Sequence, residues 1–354
     1  MGNSSEYKCP ACMGKMVYDS ASGNMKCPYC DTEIEVEKYS EMVSKNTSNN
    51  TQKNSPAGQR DGKNLYVCES CGGEIVTDLN TGADKCPYCD NVLVLKGQFE
   101  GEFAPDYIIP FEVSKKQAKK IYTEFLEDKK LLPRDFHNKN HVDEIIGVYV
   151  PFWLYDTKNS GSVTIKKEIL RKKYTDKNGN TRKVYDQYIV SRSGTVEFEK
   201  VPEDASEKQD DTLMEAIEPY DFSKLQDFND LYLSGFLAER YDVSPKSRLK
   251  RVYERTSTAL TRKLVPKNYG DVTYTLENKN MNLDKVTHKY GLLPVWILNT
   301  TWNNEKYTFA INGQTGKMIG DLPIDLRFTA INFLKNAGIF SIAAYIISCI
   351  ANFM

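Results

Sequence analysis

The stretch Cys9-Pro-Ala-Cys12, followed after fourteen residues by Cys27-Pro-Tyr-Cys30, decides the fold of the N-terminal part of the chain. The same frame returns as Cys68-Glu-Ser-Cys71, again followed after fourteen residues by Cys86-Pro-Tyr-Cys89. All eight cysteines recur at an offset of 59 residues, together with several glycine, lysine, tyrosine and aspartate positions around them. This regularity indicates a duplicated module.

The spacing of the cysteines predicts zinc. Two pairs of this kind, brought together by a hairpin, place four thiolates at the corners of a tetrahedron, as in a four-cysteine zinc ribbon. A disulfide framework or scattered redox thiols would be the alternative, and the identical frames without a signal peptide disfavour both. Because a module of about 25 residues buries little core, the metal should supply most of its folding free energy. We expect two Zn²⁺ ions, one per ribbon, bound by Cys9, Cys12, Cys27, Cys30, Cys68, Cys71, Cys86 and Cys89.

Length and composition limit the function classes. A chain of 354 residues is expected to form more than one domain, and an apolar content of 40% suffices for folded cores. The net charge of −1 and the pI of about 6.4 give no global basic field for nucleic acid. Eight paired cysteines without a cleavable leader favour a reducing compartment for the N-terminal body.

Composition along the chain predicts five segments. The two zinc ribbons are expected at 1–39 and 65–98, and an α+β body with antiparallel sheets at 99–325. Residues 40–64 are polar and almost free of apolar side chains, which predicts a flexible linker that lets the ribbons move independently. The fifth segment, 336–354, is apolar.

A second, weaker repeat lies within the body, near 104–200 and 235–322. In each unit a Val-Ser pair opens a helix and a Pro-aromatic strand follows. The aligned pairs are Pro151 and Pro294, Trp153 and Trp296, and Thr157 and Thr300. We interpret this as a degenerate duplication, with chance recurrence of Pro-aromatic strands as the alternative.

The segment 336–354 carries no charged residue, and as a helix of nineteen residues it would reach about 28 Å. This predicts a C-terminal transmembrane helix, with a buried or amphipathic terminal helix as the alternative. Arg327 and Lys335 precede the segment, so the positive-inside rule would keep the body in the cytoplasm. The expected location is the cell membrane, with a single span.

No catalytic constellation emerges from the remaining motifs. His137 and His141 are four residues apart but lack further ligands, and the turn at 313–317 lacks the frame of a phosphate-binding loop. The helix expected at 244–265 is rich in Lys and Arg. Its charges fit either a solvated outer face or an anionic partner such as lipid headgroups or nucleic acid.

Taken together, the motifs resemble one bacterial family. Besides the duplicated ribbons, these are Pro-Asp-Tyr-Ile-Ile-Pro-Phe, Ile-Gly-Val-Tyr-Val-Pro-Phe-Trp-Leu, Ser-Gly-Thr-Val-Glu-Phe, Gly-Phe-Leu-Ala-Glu-Arg-Tyr-Asp-Val, Leu-Leu-Pro-Val-Trp and Asn-Gly-Gln-Thr-Gly-Lys. Across nearly its whole length the chain resembles the bacterial TFIIB-type zinc-ribbon-containing proteins of the YdjG-like family. The resemblance implies membrane-stress machinery with a membrane partner and SPFH-type and PspA-type proteins. Members are also labelled replication or primosomal helicase-like proteins, but this chain has no Walker motif.

These observations predict a non-enzymatic, membrane-anchored zinc-ribbon adaptor that works through protein–protein interaction in a bacterial membrane-stress complex. The alternative is a zinc-ribbon nucleic-acid-binding protein in replication or transcription. The ribbons contain acids as well as lysines, which weakens that alternative. An enzyme in the α+β body would need a pocket with perturbed acids, and no motif in the sequence predicts one.

Overall fold

The computed structural model describes residues 7–48, 63–68, 72–78, 86–87, 93–98, 105–127, 129, 132–133, 136, 144–208, 210–323 and 326–353. Its strands are β1 (Val17–Asp19), β2 (Asn24–Lys26), β3 (Glu33–Glu35), β4 (Lys63–Cys68), β5 (Glu74–Asp78), β6 (Leu93–Gln98), β7 (Tyr107–Ile108), β8 (Ile146–Thr175), β9 (Thr181–Asp204), β10 (Gln226–Asp227), β11 (Leu237–Glu239), β12 (Val272–Trp302), β13 (Glu305–Asn312) and β14 (Met318–Gly320). Its α-helices are α1 (Val36–Ser48), α2 (Lys115–Glu127), α3 (Asp211–Ala216), α4 (Pro245–Leu264) and α5 (Leu326–Phe353).

The first cysteine module is a small three-stranded antiparallel sheet, β1–β2–β3, followed directly by α1. The hairpin between β1 and β2 turns at Gly23, whose φ of 73° lies in the left-handed region that glycine adopts without strain. Helix α1 extends to Ser48 and so occupies the beginning of the segment expected to be a linker. The rest of that segment, 49–62, lies outside the described residues.

The body is built on one antiparallel pair, β8 and β12. The two strands are 30 and 31 residues long, and they pair from Ile146 opposite Ile297 to Ile169 opposite Val272. One end of this pair lies in the core, where nine consecutive β8 residues, 147–155, are buried. The other end extends away from the core. It is a three-stranded arm, since β9 pairs with the edge of β8 that β12 leaves free.

The two halves of the body make equivalent contacts, as a duplication requires. Strand β7 pairs in parallel with β12, and β11 pairs in parallel with β8, at matching positions of the two repeats. The indole N–H of Trp153 donates to the carbonyl of Val243 at 2.8 Å, and that of Trp296 donates to the carbonyl of Val113 at 2.9 Å. In each repeat, the long strand therefore pairs with the first strand of the other repeat, and its tryptophan bonds to the residue that precedes the other repeat's helix.

The loops that follow the central strands repeat the same pattern. Ala205 donates its N–H to the carbonyl of Pro151, and Gly313 donates to the carbonyl of Pro294. Each of these two residues then accepts from the Val that precedes a helix, Val243 or Val113. A backbone link thus joins both halves at equivalent places.

One equivalent pair differs in charge. Asp204 and Asn312 precede these loop residues, and the Oδ1 atom of each accepts a backbone N–H two residues on, from Ser206 at 3.0 Å and from Gln314 at 2.9 Å. Asn312 uses its amide N–H₂ to donate to the buried carbonyl of Ile217. The corresponding atom of Asp204, Oδ2, is buried without a hydrogen-bond partner among the described residues.

Burial therefore raises the pKa of Asp204 to about 8; the N–H of Ser206 opposes this rise and the nearby charge of Glu239 adds to it. Since this folded-state pKa lies above the unfolded value, the carboxyl contributes stability that is present at low pH. That contribution is lost as the pH rises towards 8.

We expect Asp204→Asn to stabilise the protein increasingly between pH 6 and pH 8, because an amide keeps the Ser206 contact and cannot ionise. The difference in the free energy of unfolding should change by at most about 1.4 kcal/mol per pH unit, the limit for one proton. Urea unfolding at the two pH values measures it, with the exposed Asp227→Asn as the matched control. A difference that stays constant with pH would show that Asp204 is not the titrating group.

The predicted transmembrane helix is wrong. Residues 326–353 do form the helix α5, but within the part of the chain that the structure describes no helix combines the length and apolar composition that a bilayer span needs. The described residues of α5 include Lys335, Asn336 and Ser341, whose polar side chains interrupt the apolar sequence. Four further predictions depended on this helix and are wrong for the same reason. They are the span at 336–354, the tail anchor, the membrane as a partner, and the single-pass location with a cytoplasmic body. Met354 lies outside the described residues.

Candidate metal centre

The first two cysteine pairs form matching tight turns. The N–H of Cys9 donates to the carbonyl of Gly14, and the N–H of Met13 donates back to the carbonyl of Cys9. Cys27 is held in the same way by Thr32 and Asp31. Met13 and Asp31 have φ values of 61° and 56°, which close the turns in the left-handed region. Each turn directs both of its sulfur atoms to the same side of the backbone.

The four sulfur atoms converge. The Sγ atoms of Cys9 and Cys30 are 3.6 Å apart, those of Cys12 and Cys27 are 3.5 Å apart, and all four lie within 4.8 Å of one another. A tetrahedron with Zn–S bonds of about 2.3 Å has edges of about 3.8 Å, so the arrangement fits one zinc ion. Cys9 and Cys27 are buried beneath the site, whereas Cys12 and Cys30 are exposed above it.

The electrostatics of the site favour a cation. The hydroxyl of Thr32 lies 3.1 Å from the sulfur of Cys30, and together with the Thr32 N–H it lowers the pKa of that thiol to about 6. The N–H of Gly14 lowers the pKa of Cys12, but the thiols of Cys30 and Cys27 outweigh it and raise the value to about 12. One thiolate therefore opposes ionisation of its neighbour, and a divalent ion would remove that opposition.

Lys26, beside the ligand Cys27, does not face the sulfur atoms. Its ammonium group pairs with Glu33 at 3.1 Å and with Asp31 at 3.6 Å. The charge of a four-thiolate site is thus balanced chiefly by the ion that it binds.

The first module packs directly on the body. The hydroxyl of Tyr18 donates to the carbonyl of Phe111, and its backbone N–H donates to the carbonyl of Ser234. Ser234 in turn donates its hydroxyl to the carbonyl of Met16. The ring of Tyr18 lies edge-on to Tyr232, with 5.2 Å between centroids. These buried contacts hold the module in one position, in contrast to the expected independent motion of the ribbons.

Sequence reasoning did not identify Tyr18 as a docking residue. The only available signal is a break in the repeat, because the equivalent position at an offset of 59 is Thr77. Thr77 lies on β5, which joins the second module to the body by backbone pairing rather than through an aromatic ring: Val76 pairs with Ala238 of β11. The two copies of the module therefore attach to the body by different means.

In the second module, the structure describes two of the four predicted ligands, Cys68 and Cys86. The turn at Cys68 repeats that at Cys9: its N–H donates to Gly73, and Gly72, with φ of 71°, donates back. Cys86 is buried, and the carbonyl of the next residue, Pro87, accepts from the side-chain amide of Asn299 on β12 at 2.6 Å. Cys71 and Cys89 lie outside the described residues. The structure thus shows the four-cysteine cluster of the first module and, in the second module, the turn that begins at Cys68.

The basic helix predicted at 244–265 is α4, and its arginines are used inside the protein. Arg251 and Arg255 contact the buried carboxylate of Glu203 at 3.0 and 3.1 Å. Arg248 pairs with Asp211 at 3.0 Å, and Arg255 also pairs with Glu218 at 2.7 Å. All three acids lie in the stretch 203–230, which is rich in Asp and Glu. The pairing accounts for much of the charge on α4 without an anionic ligand.

Two further candidates can be placed. Residues 313–317 form the turn between β13 and β14, where the side chain of Asn312 accepts the N–H groups of Gln314 and Thr315. This agrees with a hairpin turn and leaves those N–H groups unavailable to a phosphate. His137 and His141 lie outside the described residues.

We expect Cys27→Ser to unfold the first module while leaving the β8–β12 core folded, because the module's own core is small and the metal supplies its folding free energy. Hydrogen exchange followed by mass spectrometry should show lost protection over 7–48 and unchanged protection over 146–155. Cys349→Ser, which changes the cysteine outside the repeats, is the matched control. Full protection of 7–48 in Cys27→Ser would contradict a metal-dependent module.

Comparisons with known proteins give one informative relative. The chain is 29% identical over 333 residues to a protein named "Uncharacterized protein YdjG" of Bacillus subtilis (strain 168), covering 94% of both chains. No family model matches the chain, and no solved structure matches it. The four-cysteine cluster is compatible with zinc and is thus present in a chain that is similar to YdjG over nearly its whole length.

Proposed function

We propose that this chain is a non-enzymatic, zinc-dependent interaction protein of the TFIIB-type zinc-ribbon kind, in which two structural zinc ions hold two ribbon modules on an α+β scaffold. The observation that carries the proposal is the closed set of four converging sulfur atoms at Cys9, Cys12, Cys27 and Cys30. Four protein ligands leave no open position for water or substrate, which is the pattern of structural rather than catalytic zinc.

The first module also presents apolar side chains beside the site. Met13 is 66% exposed and Tyr29 is 76% exposed, each within one of the two cysteine turns. The ring of Tyr29 lies against Gly14, where an added Cβ would come within 2.7 Å of it. An exposed aromatic ring next to a methionine is typical of a protein-binding surface.

The docking of the module supports the same function. Its contacts through Tyr18 fix the orientation of Tyr29 and Met13 relative to the body. A rigid surface of this kind loses little conformational entropy when a partner binds. The metal then acts indirectly, since it maintains the turns that expose these two side chains.

The alternative of nucleic-acid binding by the zinc ribbons has no specific support in the first module. Lys26 is paired with Glu33 and Asp31, and Lys38 is paired with Glu35 at 2.8 Å. Membership of a membrane-stress complex stays a prediction from the resemblance.

The proposal predicts two bound zinc ions per chain and a partner contact at the first module. Elemental analysis should find one ion fewer in Cys27→Ser and in Cys86→Ser, because each change removes one ligand from a different site. A photo-crosslinking phenylalanine analogue at Tyr29 should capture a protein partner in the intact protein and lose it in the Cys27→Ser background.

The same analogue at Tyr269, which is 86% exposed on the body, controls for exposure alone. Equal capture from the two positions, or capture at Tyr29 that persists without the metal, would argue against a zinc-dependent interaction surface. Fewer than two ions in the intact chain would remove the second metal site.

A further inference from the structure

The arm formed by β8, β9 and β12 ends in a two-stranded ribbon. The outermost pairing of β12 with β8 joins Val272 to Ile169, whereas β8 and β9 continue to Thr175 opposite Thr181. The hairpin is closed at Asp176, whose carboxylate accepts the N–H groups of Asn178 and Asn180. The end of the arm is thus a well-formed ribbon with both faces exposed.

This end of the arm is strongly basic, although the whole chain is not. Residues 166–192 contain nine Lys or Arg and three Asp or Glu, in a protein whose net charge is −1. The acids pair with Lys166, Arg171 and Arg182, at 3.0, 3.6 and 2.9 Å. Among the described residues 166–192, the lysines with no acidic partner are Lys167, Lys172, Lys173, Lys177 and Lys183.

Tyr188 and Tyr174 share one face of this ribbon with Lys167 and Lys172, whereas Lys173 and Lys183 lie on the opposite face. The register places Tyr274, Lys167 and Tyr188 side by side across the three strands, and it places Tyr174 opposite Arg182 nearer the tip. Residues directly opposite each other in a sheet share a face. Here the ammonium group of Lys167 lies 6.0 Å from the ring centroid of Tyr188.

The second tyrosine of this face has the same kind of neighbour. The ammonium group of Lys172 lies 5.5 Å from the ring centroid of Tyr174. Tyr188 is 50% exposed and Tyr174 is 46% exposed, so both rings present a surface to solvent while a cation stands beside them.

Helix α4 covers this face only nearer the body. Leu260 packs there in a cluster with Val163 and Ile165, and the helix ends at Leu264, whose carbonyl accepts from Arg192. Tyr274 packs against this cluster as a partly buried side chain, whereas the rings of Tyr188 and Tyr174 are exposed and are not part of it. The exposed rings therefore do not serve the core.

We propose that the end of this arm binds single-stranded nucleic acid, with phosphates on Lys167, Lys172 and Lys177 and bases stacked on Tyr188 and Tyr174. An exposed aromatic ring stacks on the face of any base, and cations beside it neutralise the phosphates of the same strand. An acidic protein would use the cations but would gain little from flat exposed rings. A duplex would use the cations while its bases stay stacked on one another.

Fluorescence anisotropy of the intact, zinc-loaded protein with labelled twenty-nucleotide oligo(dT) or oligo(U) tests the proposal. We expect Tyr174→Ala/Tyr188→Ala to weaken binding by about tenfold or more, the loss expected from stacking at even one base. Tyr174→Phe/Tyr188→Phe keeps the rings and should bind like the native protein. If these three lysines contact phosphates, log Kd should rise with log salt with a slope of about 2.

A charge-matched pair separates the arm from the rest of the surface. Lys167→Glu/Lys172→Glu should weaken binding at least tenfold, whereas Lys116→Glu/Lys246→Glu, on exposed sites of α2 and α4, should change it less than about twofold. Circular dichroism checks that each variant is folded.

Equal losses in the two charge variants, or equal binding of the alanine and phenylalanine variants, would overturn the proposal. So would tighter binding of the matching duplex, or equally tight binding of polyglutamate, since neither needs stacking on the rings. Because the zinc modules are unchanged in all these variants, the outcome is independent of the function proposed for them.

Discussion

The pairing of β8 with β12 is the constraint on which the rest of the structure depends. It joins the two repeats directly, with Val150 opposite Leu293 and Pro151 opposite Leu292. Once this register is set, the parallel strands β7 and β11 must each add to the strand of the other repeat. A shift by one residue would turn every buried side chain of these strands to the opposite face. In the observed register the indoles of Trp153 and Trp296 donate to the carbonyls of Val243 and Val113, and these bonds add to the stability of the arrangement.

The two cysteine modules are attached to this frame in different ways. The second module adds β5 to the edge of β11, so its attachment uses backbone hydrogen bonds that nearly any sequence could supply. The first module has its own sheet and is attached by side chains, chiefly Tyr18 in the cluster with Phe236. The two copies of the cysteine frame are thus attached in different ways, one by strand pairing and the other through Tyr18. In the sequence, this difference in attachment corresponds to Tyr18 in the first copy and Thr77 at the equivalent position of the second.

Local chemistry was predictable from the sequence and long-range pairing was not. The spacing Cys9-x-x-Cys12 requires a tight turn, so the turn and its sulfur geometry follow from the cysteines themselves. The aligned Trp153 and Trp296 indicated a repeat, but not that each repeat completes the other, because that depends on pairing between strands more than a hundred residues apart. The transmembrane prediction rested on the uncharged run after Lys335 alone, and no helix among the described residues has the length and apolar composition of a span.

The charges of α4 and of the arm show why net charge is a weak guide to binding surfaces. On α4, Arg251 and Arg255 both hold the carboxylate of Glu203, whose side chain is only 1% exposed, and removing both arginines would leave that buried charge uncompensated. Arg251 and Arg255 are therefore held in place by their ion pairs with Glu203, because the buried carboxylate needs them. The lysines of the arm, such as Lys172 and Lys183, have no such acid and lie on an exposed ribbon, where their charges are available to a ligand. Two basic segments of similar composition therefore have different roles, and the partners of each cation decide which role it has.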